Sequence, residues 1–154
     1  MSATIPCLSL WQPWATLMAI GAKRIETRSW GTNYRGPLAI HAASRWGADI
    51  LRIAAHCPFY EAMRRGGVEY SDIDEPVLPL GKIIAVVDLV DVVRIGAAFT
   101  AGANEYAFGD YTTGRFAWIT NNHRALPEPV AWRGRQRLFK IPASVVGVDV
   151  EIPS

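Results

Sequence analysis

Apolar positions that alternate with polar ones, or that form unbroken runs, predict six or seven short β-strands. These lie at residues 5–10, 24–30, 38–42, 81–94, 115–120, 136–141 and 145–150. The segment 81–94 (GKIIAVVDLVDVVR) is the strongest, and its nearly continuous apolar run is typical of a central strand buried on both faces. Asp88 and Asp91 interrupt that run, so both carboxylates need polar partners or a place at an edge.

Helical spacing predicts two helical regions among the first strands. Pro13 is suited to the first turn of a helix that Gly21 ends as its C-cap, and residues 48–65 form a second region with Pro58 as its break. Residues 66–79, 96–114 and 124–130 are rich in glycine, proline or polar residues and are predicted as loops or connections. This order of elements favours an α+β fold, a small mixed β-barrel of about six strands with flanking helices.

Length and composition indicate one ordinary globular domain, residues 1–154. Half of the residues are hydrophobic and 19% are charged, which excludes a disordered chain. Cys7 and Cys57 are too few for a disulfide framework, so both thiols are expected to be reduced and buried; a disulfide between them is the alternative. Because the sequence shows neither a membrane-spanning stretch nor the basic start of a signal peptide, we expect a cytoplasmic protein without a membrane partner.

The charges are unevenly distributed along the chain. Residues 1–45 carry five basic and one acidic residue, residues 46–110 carry five and ten, and residues 111–154 carry six and three. All six tryptophans lie in or beside the two basic segments, and 13 of the 16 basic residues are arginine. Basic residues interleaved with aromatics are typical of surfaces that bind single-stranded nucleic acid or nucleotides. The alternative is that the tryptophans belong to the core and the charges to an ordinary surface.

Familiar catalytic motifs are missing from the sequence. It contains no phosphate-binding loop, dinucleotide fingerprint, zinc-protease helix, calcium loop or nucleophile elbow. His41, His56 and His123 are too widely separated to suggest metal ligands, so we expect neither a metal nor a cofactor. Any catalysis would then depend on lysine, glutamate, threonine, tyrosine or arginine side chains.

Three segments in a fixed order resemble the ASCH domain family, which has a PUA-like fold. They are residues 8–15 (LSLWQPWA), 21–28 (GAKRIETR) and 38–43 (LAIHAA). Residues 80–85, 116–119, 126–130 and 133–136 also resemble later parts of the family pattern. The resemblance implies a barrel with a cleft lined by the G-x-K-x-x-E-x-R segment and a role connected with RNA. It also implies two possible activities found among similar bacterial proteins, namely cleavage of single-stranded RNA and removal of the acyl group from acylated cytidine.

Within that segment, Lys23 corresponds to the cleft lysine of the family. Such a lysine binds a phosphate or carbonyl oxygen, or acts as a base if desolvation lowers its pKa; the alternative is a surface lysine after a helix cap. Glu26 and Arg28 share one strand face, either as a structural ion pair or as a carboxylate that accepts from a base edge or activates water. In the branch that acts on acylated cytidine, the position that corresponds to Glu26 resembles a threonine nucleophile. This sequence has a glutamate there, which weakens the case for a threonine-nucleophile mechanism.

The remaining candidate ligand-binding residues surround the same segment. Trp11 is a candidate platform on which a base stacks, and Gln12 is a candidate reader of a base edge. Arg35 is a candidate phosphate ligand. Arg133 and Arg135 flank Gly134 and are candidates for close contact with a backbone phosphate. Tyr34 belongs to the turn beside Arg35, and His41 is either a hydrogen-bonded core histidine or a proton shuttle.

Three functions follow as hypotheses. The first is binding of single-stranded RNA, a nucleotide or a modified nucleobase in a basic, aromatic cleft. The second is a metal-independent hydrolase, a ribonuclease or an acylated-cytidine amidohydrolase, that uses Lys23 and Glu26 as its acid–base groups. The third is a protein-interaction module within a larger complex.

Overall fold

A computed structural model of the protein describes residues 3–147, which form a six-stranded mixed sheet flanked by short helices. The strands are β1 (Thr4–Leu10), β2 (Ile25–Arg28), β3 (Gly36–Ala42), β4 (Lys82–Arg94), β5 (Phe116–Ala131) and β6 (Leu138–Pro142). Their order in the sheet is β2-β5-β4-β3-β1-β6. The β1–β3 pair is parallel and the other pairs are antiparallel.

The helices are short and lie between the strands or after them. They are α1 (Trp14–Ala19), α2 (Ala48–Ala54), α3 (Phe59–Arg65), α4 (Ala103–Ala107) and a 3₁₀ helix at Ala143–Val146. Because parallel strands need a crossover connection, the chain between β1 and β3 leaves the sheet through α1 and returns through β2 at the far edge. This crossover contains the whole GAKRIETR segment.

The sheet is buried on both faces in its middle. Leu8 and Leu10 of β1 pack into one hydrophobic cluster together with α1. Ile5 and Cys7 of the same strand pack into a second cluster on the other face. Alternate residues of a strand point to opposite faces, so β1 contributes to two cores.

The predicted central strand is confirmed. β4 lies between β3 and β5, and its residues from Ile83 to Val87 are buried. Asp88 accepts hydrogen bonds from Arg124 (Nη1 3.2 Å) and Asn122 (2.9 Å). Asp91 forms a salt bridge of 3.6 Å with Arg35. Asp88, which is partly buried, therefore has polar partners, whereas Asp91 lies in the exposed second half of the strand and pairs with Arg35 at the surface.

The loop predicted at residues 124–130 is wrong. β5 continues through Ala131 because its backbone pairs with β4, with Ala85 opposite Ala125 and Ile83 opposite Val130. The register shifts between these two pairs, so the intervening prolines fall where the ladder is interrupted and need not donate a hydrogen bond. Local composition cannot show this accommodation of proline by a bulge.

Three further expectations need correction. Helix α4 lies within the predicted connection 96–114. The first part of the strand predicted at 145–150 is 3₁₀ helix, and residues 148–150 lie outside the described part of the chain. The six described strands form an open sheet with β2 and β6 at its two edges, so the α+β fold is confirmed without a closed barrel.

The two cysteines are free, but only one is buried. Burial raises the pKa of the Cys7 thiol to about 12, so this thiol is inert. Cys57 is exposed, contrary to expectation, because it lies in the turn between α2 and α3. Within residues 3–147, no helix has the length and apolarity needed to cross a membrane.

Candidate functional site

A cleft of about 650 Å³ lies between the start of α1, strand β2 and the chain after α4. It is lined by Ser9, Leu10, Trp11, Trp14, Glu26, Thr27, Arg28, Ala107, Phe108, Gly109, Asp110 and Arg115. Three predicted site residues, Trp11, Glu26 and Arg28, therefore meet here. The cleft is polar on its β2 wall and aromatic where α1 begins.

Lys23 lies behind the β2 wall and is almost completely buried, with 1% of its surface exposed. Its ammonium group donates to the carbonyl oxygens of Ile25 (2.5 Å) and Phe108 (3.2 Å). It also lies 3.5 Å from Oε1 of Glu26. The surface alternative for Lys23 is wrong, because the turn after α1 directs the side chain inward.

Burial lowers the pKa of Lys23, and the nearby carboxylates of Glu26 and Glu105 act in the opposite direction. An ammonium group has three N–H donors, and the two carbonyls and Glu26 occupy all three directions. In this arrangement Lys23 fixes Glu26 and the Phe108 loop; it does not itself line the cleft.

Glu26 and Arg28 form the polar wall of the cleft. Oε2 of Glu26 accepts from Nε of Arg28 at 3.2 Å and lies 3.1 Å from its Nη2, while Oε1 accepts from the Thr27 backbone N–H at 3.1 Å. Arg28 Nη2 also donates to the Ser9 carbonyl oxygen at 3.1 Å. The Glu26 side chain is 13% exposed and the Arg28 side chain 25% exposed. Both charged ends are thus held in place but remain accessible from the cleft.

The opposite wall was not predicted from the sequence. The Asp110 backbone N–H donates to Thr27 Oγ1 at 3.1 Å, and Arg115 Nη2 donates to the Thr27 carbonyl oxygen at 3.2 Å. Glu105 of α4 accepts from the backbone N–H groups of Arg24 (2.6 Å) and Ile25 (3.1 Å). These contacts join residues about 80 positions apart. The only sign of them in the sequence is that the connection at residues 96–114 contains acidic residues and glycines.

Trp11 is the exposed aromatic residue of the cleft. Its side chain is 55% exposed, and the Arg45 guanidinium lies 4.4 Å from the centre of its ring. Trp14 is partly buried and packs edge-on against Phe59 at 6.0 Å. The division of roles is therefore clear, since Trp14 contributes to the core while Trp11 offers a ring face to solvent.

Gln12 is completely buried and does not line the cleft. Its amide nitrogen donates to Thr16 Oγ1 (2.7 Å) and to the Pro79 carbonyl oxygen (3.0 Å). Its amide oxygen accepts from the Thr16 backbone N–H at 3.0 Å. Because these contacts occupy both ends of the amide, Gln12 anchors the start of α1.

Tyr34 and Arg35 also lie away from the cleft. The Tyr34 hydroxyl donates to the Pro37 carbonyl oxygen at 2.5 Å, and burial raises the pKa of this tyrosine. Arg35 donates to the carbonyl oxygens of Thr32 and Tyr34, both at 2.8 Å, besides its salt bridge with Asp91. Both residues stabilise the turn that leads into β3.

His41 is a buried core histidine that supports the cleft from behind. Its side chain is 2% exposed, with Nδ1 2.8 Å from Ser9 Oγ and Nε2 2.7 Å from the Trp132 carbonyl oxygen. Since a carbonyl only accepts, Nε2 carries the proton and Nδ1 accepts from Ser9. Burial lowers the pKa of His41, which favours this neutral form.

A second groove of about 380 Å³ adjoins the cleft. It is lined by Ser9, Trp11, Arg28, Trp30, Arg135, Gln136 and Arg137. The structure therefore places Arg135 next to the cleft, while Arg133 is exposed in the same loop. We name this second depression the arginine groove.

Across residues 3–147, no three histidine, cysteine or acidic side chains lie close enough together to hold a metal ion.

The architecture defines a small α+β domain in which an open mixed sheet supports a polar and aromatic cleft. The crystal structure of ASCH from Zymomonas mobilis has the same fold, with a TM-score of 0.52 at 14% identity over 90% of this chain and 88% of that chain. A point mutant of that protein gives a TM-score of 0.51 over 90% of both chains. At this identity the likeness concerns the fold alone.

Sequence comparison identifies the family. The family model of the ASCH domain matches residues 8–131, and the chain belongs to this family. Activating signal cointegrator 1 from Homo sapiens is 37% identical over 87 residues, which are 55% of this chain, and the Mus musculus protein matches equally. The match covers 14% of the length of those two proteins. The resemblance predicted from residues 8–43 is thereby confirmed.

Proposed function

We propose that the cleft binds a nucleobase of single-stranded RNA or of a nucleotide. The observation that carries this proposal is the Glu26–Arg28 pair, which is fixed from behind by Lys23 and still accessible from the cleft. The pair offers an acceptor and a donor side by side on one wall. Base edges present donors and acceptors side by side in the same way.

The chemistry of each group fits this ligand. Arg28 uses Nε and Nη2 within the protein, which leaves the N–H donors of Nη1 for a base oxygen or nitrogen. Glu26 accepts from an exocyclic amine or a ring N–H. Trp11 offers a ring face at the cleft mouth, and stacking of one base on such a ring contributes about 1–3 kcal/mol.

The test is binding of single-stranded RNA of mixed sequence, measured by fluorescence anisotropy at two salt concentrations. We expect Trp11→Ala to weaken binding by roughly fivefold to a hundredfold. Trp46→Ala is the matched control, because Trp46 is also exposed (38%) but does not line the cleft. Glu26→Gln keeps the size of the side chain and should alter the preference among the four bases.

The proposal is wrong if wild-type protein binds neither RNA nor nucleotides, or if Trp11→Ala and Trp46→Ala behave alike. In the first case a protein ligand becomes the better hypothesis, in line with the match to activating signal cointegrator 1.

A second candidate function, metal-independent hydrolysis, is favoured by the buried Lys23 beside Glu26. Burial lowers the pKa of Lys23, and its Nζ lies 3.5 Å from a carboxylate that reaches the cleft. In such a reaction Glu26 would take a proton from the water that attacks the phosphorus or carbonyl carbon, and would return it to the leaving oxygen or nitrogen as the bond to that atom breaks. Lys23 would hold the carboxylate in place. Both an RNA phosphodiester and the amide of an acylated cytidine are suitable substrates for this chemistry.

This candidate is tested by incubating the protein with end-labelled single-stranded RNA and, separately, with acylated cytidine, each with and without EDTA. Turnover that survives EDTA and is lost in Glu26→Gln would establish the hydrolase. Lys23→Ala is informative only if its circular dichroism spectrum matches that of wild type, since Lys23 has structural contacts. Binding without turnover would leave the cleft as a reader of bases.

A further inference from the structure

The arginine groove is continuous with the cleft. Ser9, Trp11 and Arg28 line both depressions, so Arg28 stands at their junction. Arg135 and Arg137 also line the groove, and both lie outside residues 8–131, the part matched by the family model. The groove thus combines residues within the family match with two arginines that follow it in the sequence.

The two depressions differ in charge. In the cleft, Glu26 and Asp110 balance Arg28 and Arg115. The described lining of the groove contains three arginines, Arg28, Arg135 and Arg137, and no carboxylate. An uncharged base suits the balanced cleft, whereas an anion suits the groove.

Two of the three groove arginines have no carboxylate partner among the described residues: Arg28 pairs with Glu26, whereas Arg135 and Arg137 form no salt bridge with a described residue. Seven of the thirteen arginines form salt bridges with described residues. Three of the other six are Arg133, Arg135 and Arg137, within a single five-residue segment. All three are exposed. Arginine matches phosphate oxygens in charge and geometry, so this segment is suited to an anionic ligand.

The groove is also held in a fixed shape. The guanidinium of Arg137 lies 5.0 Å from the centre of the Trp30 ring, and its backbone has a φ of 58°, which is uncommon for a residue with a side chain. The preceding loop is anchored where His41 donates to the Trp132 carbonyl oxygen. Gly134 packs so closely on His41 that a Cβ atom would lie 2.7 Å from its Cε1.

We propose that the arginine groove binds the phosphate next to the base held in the cleft. The ligand is then a nucleotide or a nucleotide unit of single-stranded RNA. A free nucleobase or nucleoside lacks the phosphate that contacts the groove. This inference rests on the proposed function and specifies its ligand.

The test compares three kinds of probe on the wild-type protein by isothermal titration calorimetry: the four ribonucleosides, their 3′- and 5′-monophosphates, and single-stranded RNA of mixed sequence. The variant is Arg135→Ala/Arg137→Ala. The matched control is Arg24→Ala/Arg52→Ala, which removes two arginines that form no salt bridge with a described residue and line neither depression.

We expect a phosphate to strengthen wild-type binding roughly tenfold, and the groove variant to bind monophosphates no better than nucleosides. For RNA, losing two phosphate contacts should reduce the slope of log K against log salt by about 1.4, while the control keeps the wild-type slope. If RNA binds more tightly than nucleosides but monophosphates do not, the ligand is an RNA strand and not a single nucleotide.

Two results would overturn the inference. If nucleosides bind in a Trp11-dependent manner but the groove variant matches the control, the groove has no phosphate role and the proposed function stands. If the wild type binds none of the probes, the proposed function and this inference fail together.

Discussion

At the scale of single residues, the site depends on a buried lysine that is not itself in the cleft. A buried ammonium group is stable only when its donors are satisfied, and Lys23 meets this requirement with two carbonyls and Glu26. The structure places Lys23 and Glu26 in contact, with Nζ 3.5 Å from Oε1. That Glu26 lines the cleft while Lys23 does not depends on a contact of Lys23 with Phe108, 85 residues away, which no local pattern contains.

The buried His41 makes the stability of the fold depend on pH. Its pKa in the folded protein lies below the ordinary value of 6.5, because burial disfavours the charged ring. The unfolded chain therefore binds a proton more readily than the folded protein. The stabilisation is complete above about pH 6.5 and is lost progressively as the pH falls below it, with a slope of at most about 1.4 kcal/mol per pH unit.

Urea unfolding between pH 5 and pH 8 measures this dependence. His41→Gln should remove the part of the pH slope below 6.5, whereas His56→Gln should keep it, because His56 is exposed. An identical slope in wild type and His41→Gln would show that His41 is not the group responsible.

At the scale of elements, the segment between β5 and β6 connects the core to the arginine groove. Gly134 leaves no space for a side chain, since an added Cβ would lie 3.0 Å from His41 Nδ1 and 3.1 Å from Ser9 Oγ. Gly134→Ala should therefore shift the loop, destabilise the protein by about 1–3 kcal/mol and weaken the binding of monophosphates relative to nucleosides. Urea unfolding and calorimetry measure the two effects.

Gly96→Ala provides the control for this substitution, because an added Cβ at Gly96 meets no atom within 4 Å. If both variants unfold at the same urea concentration and bind alike, the close packing of Gly134 does not matter to the groove.

Elements with a strong local pattern were predictable from the sequence. Strands β1, β3 and β4 and the start of α1 appear where alternation, an apolar run and Pro13 place them. The second half of β5 was not predictable, because its prolines are tolerated only through a register shift against β4. The same limit applies to the cleft. Its polar β2 wall is formed by residues close together in the sequence, whereas the opposite wall depends on contacts between residues about 80 positions apart.

At the scale of the whole molecule, the basic ends of the sequence meet on one side of the fold. β1 pairs with β6, so Trp11 and Arg28 from the first basic segment lie beside Arg135 and Arg137 from the last. The acidic middle segment contributes Asp110 to the cleft and Glu105 behind it. The uneven distribution of charge along the chain therefore places a basic groove next to a cleft in which acidic and basic residues balance.

The folded unit extends beyond the family match, which ends at residue 131. β6 pairs with residues Thr4–Leu8 of β1 and brings Phe139 and Ile141 into the second hydrophobic cluster. Burial of two such side chains contributes about 3–6 kcal/mol, a large fraction of the 5–15 kcal/mol by which a domain is typically stable. A chain that ends at residue 131 would also expose β1 as an unpaired edge.

We therefore expect a chain of residues 1–131 to lack a cooperative unfolding transition, whereas a chain of residues 1–147 keeps every contact described between the strands. Circular dichroism during heating, together with limited proteolysis, distinguishes the two. A sharp transition in the shorter chain would mean that β1 is stable without β6. In that case the arginine groove would be an addition to a complete domain, and the cleft should bind nucleosides without it. Loss of the transition would instead make the groove and the fold inseparable, because the segment that carries Arg135 and Arg137 also leads into the strand that covers β1.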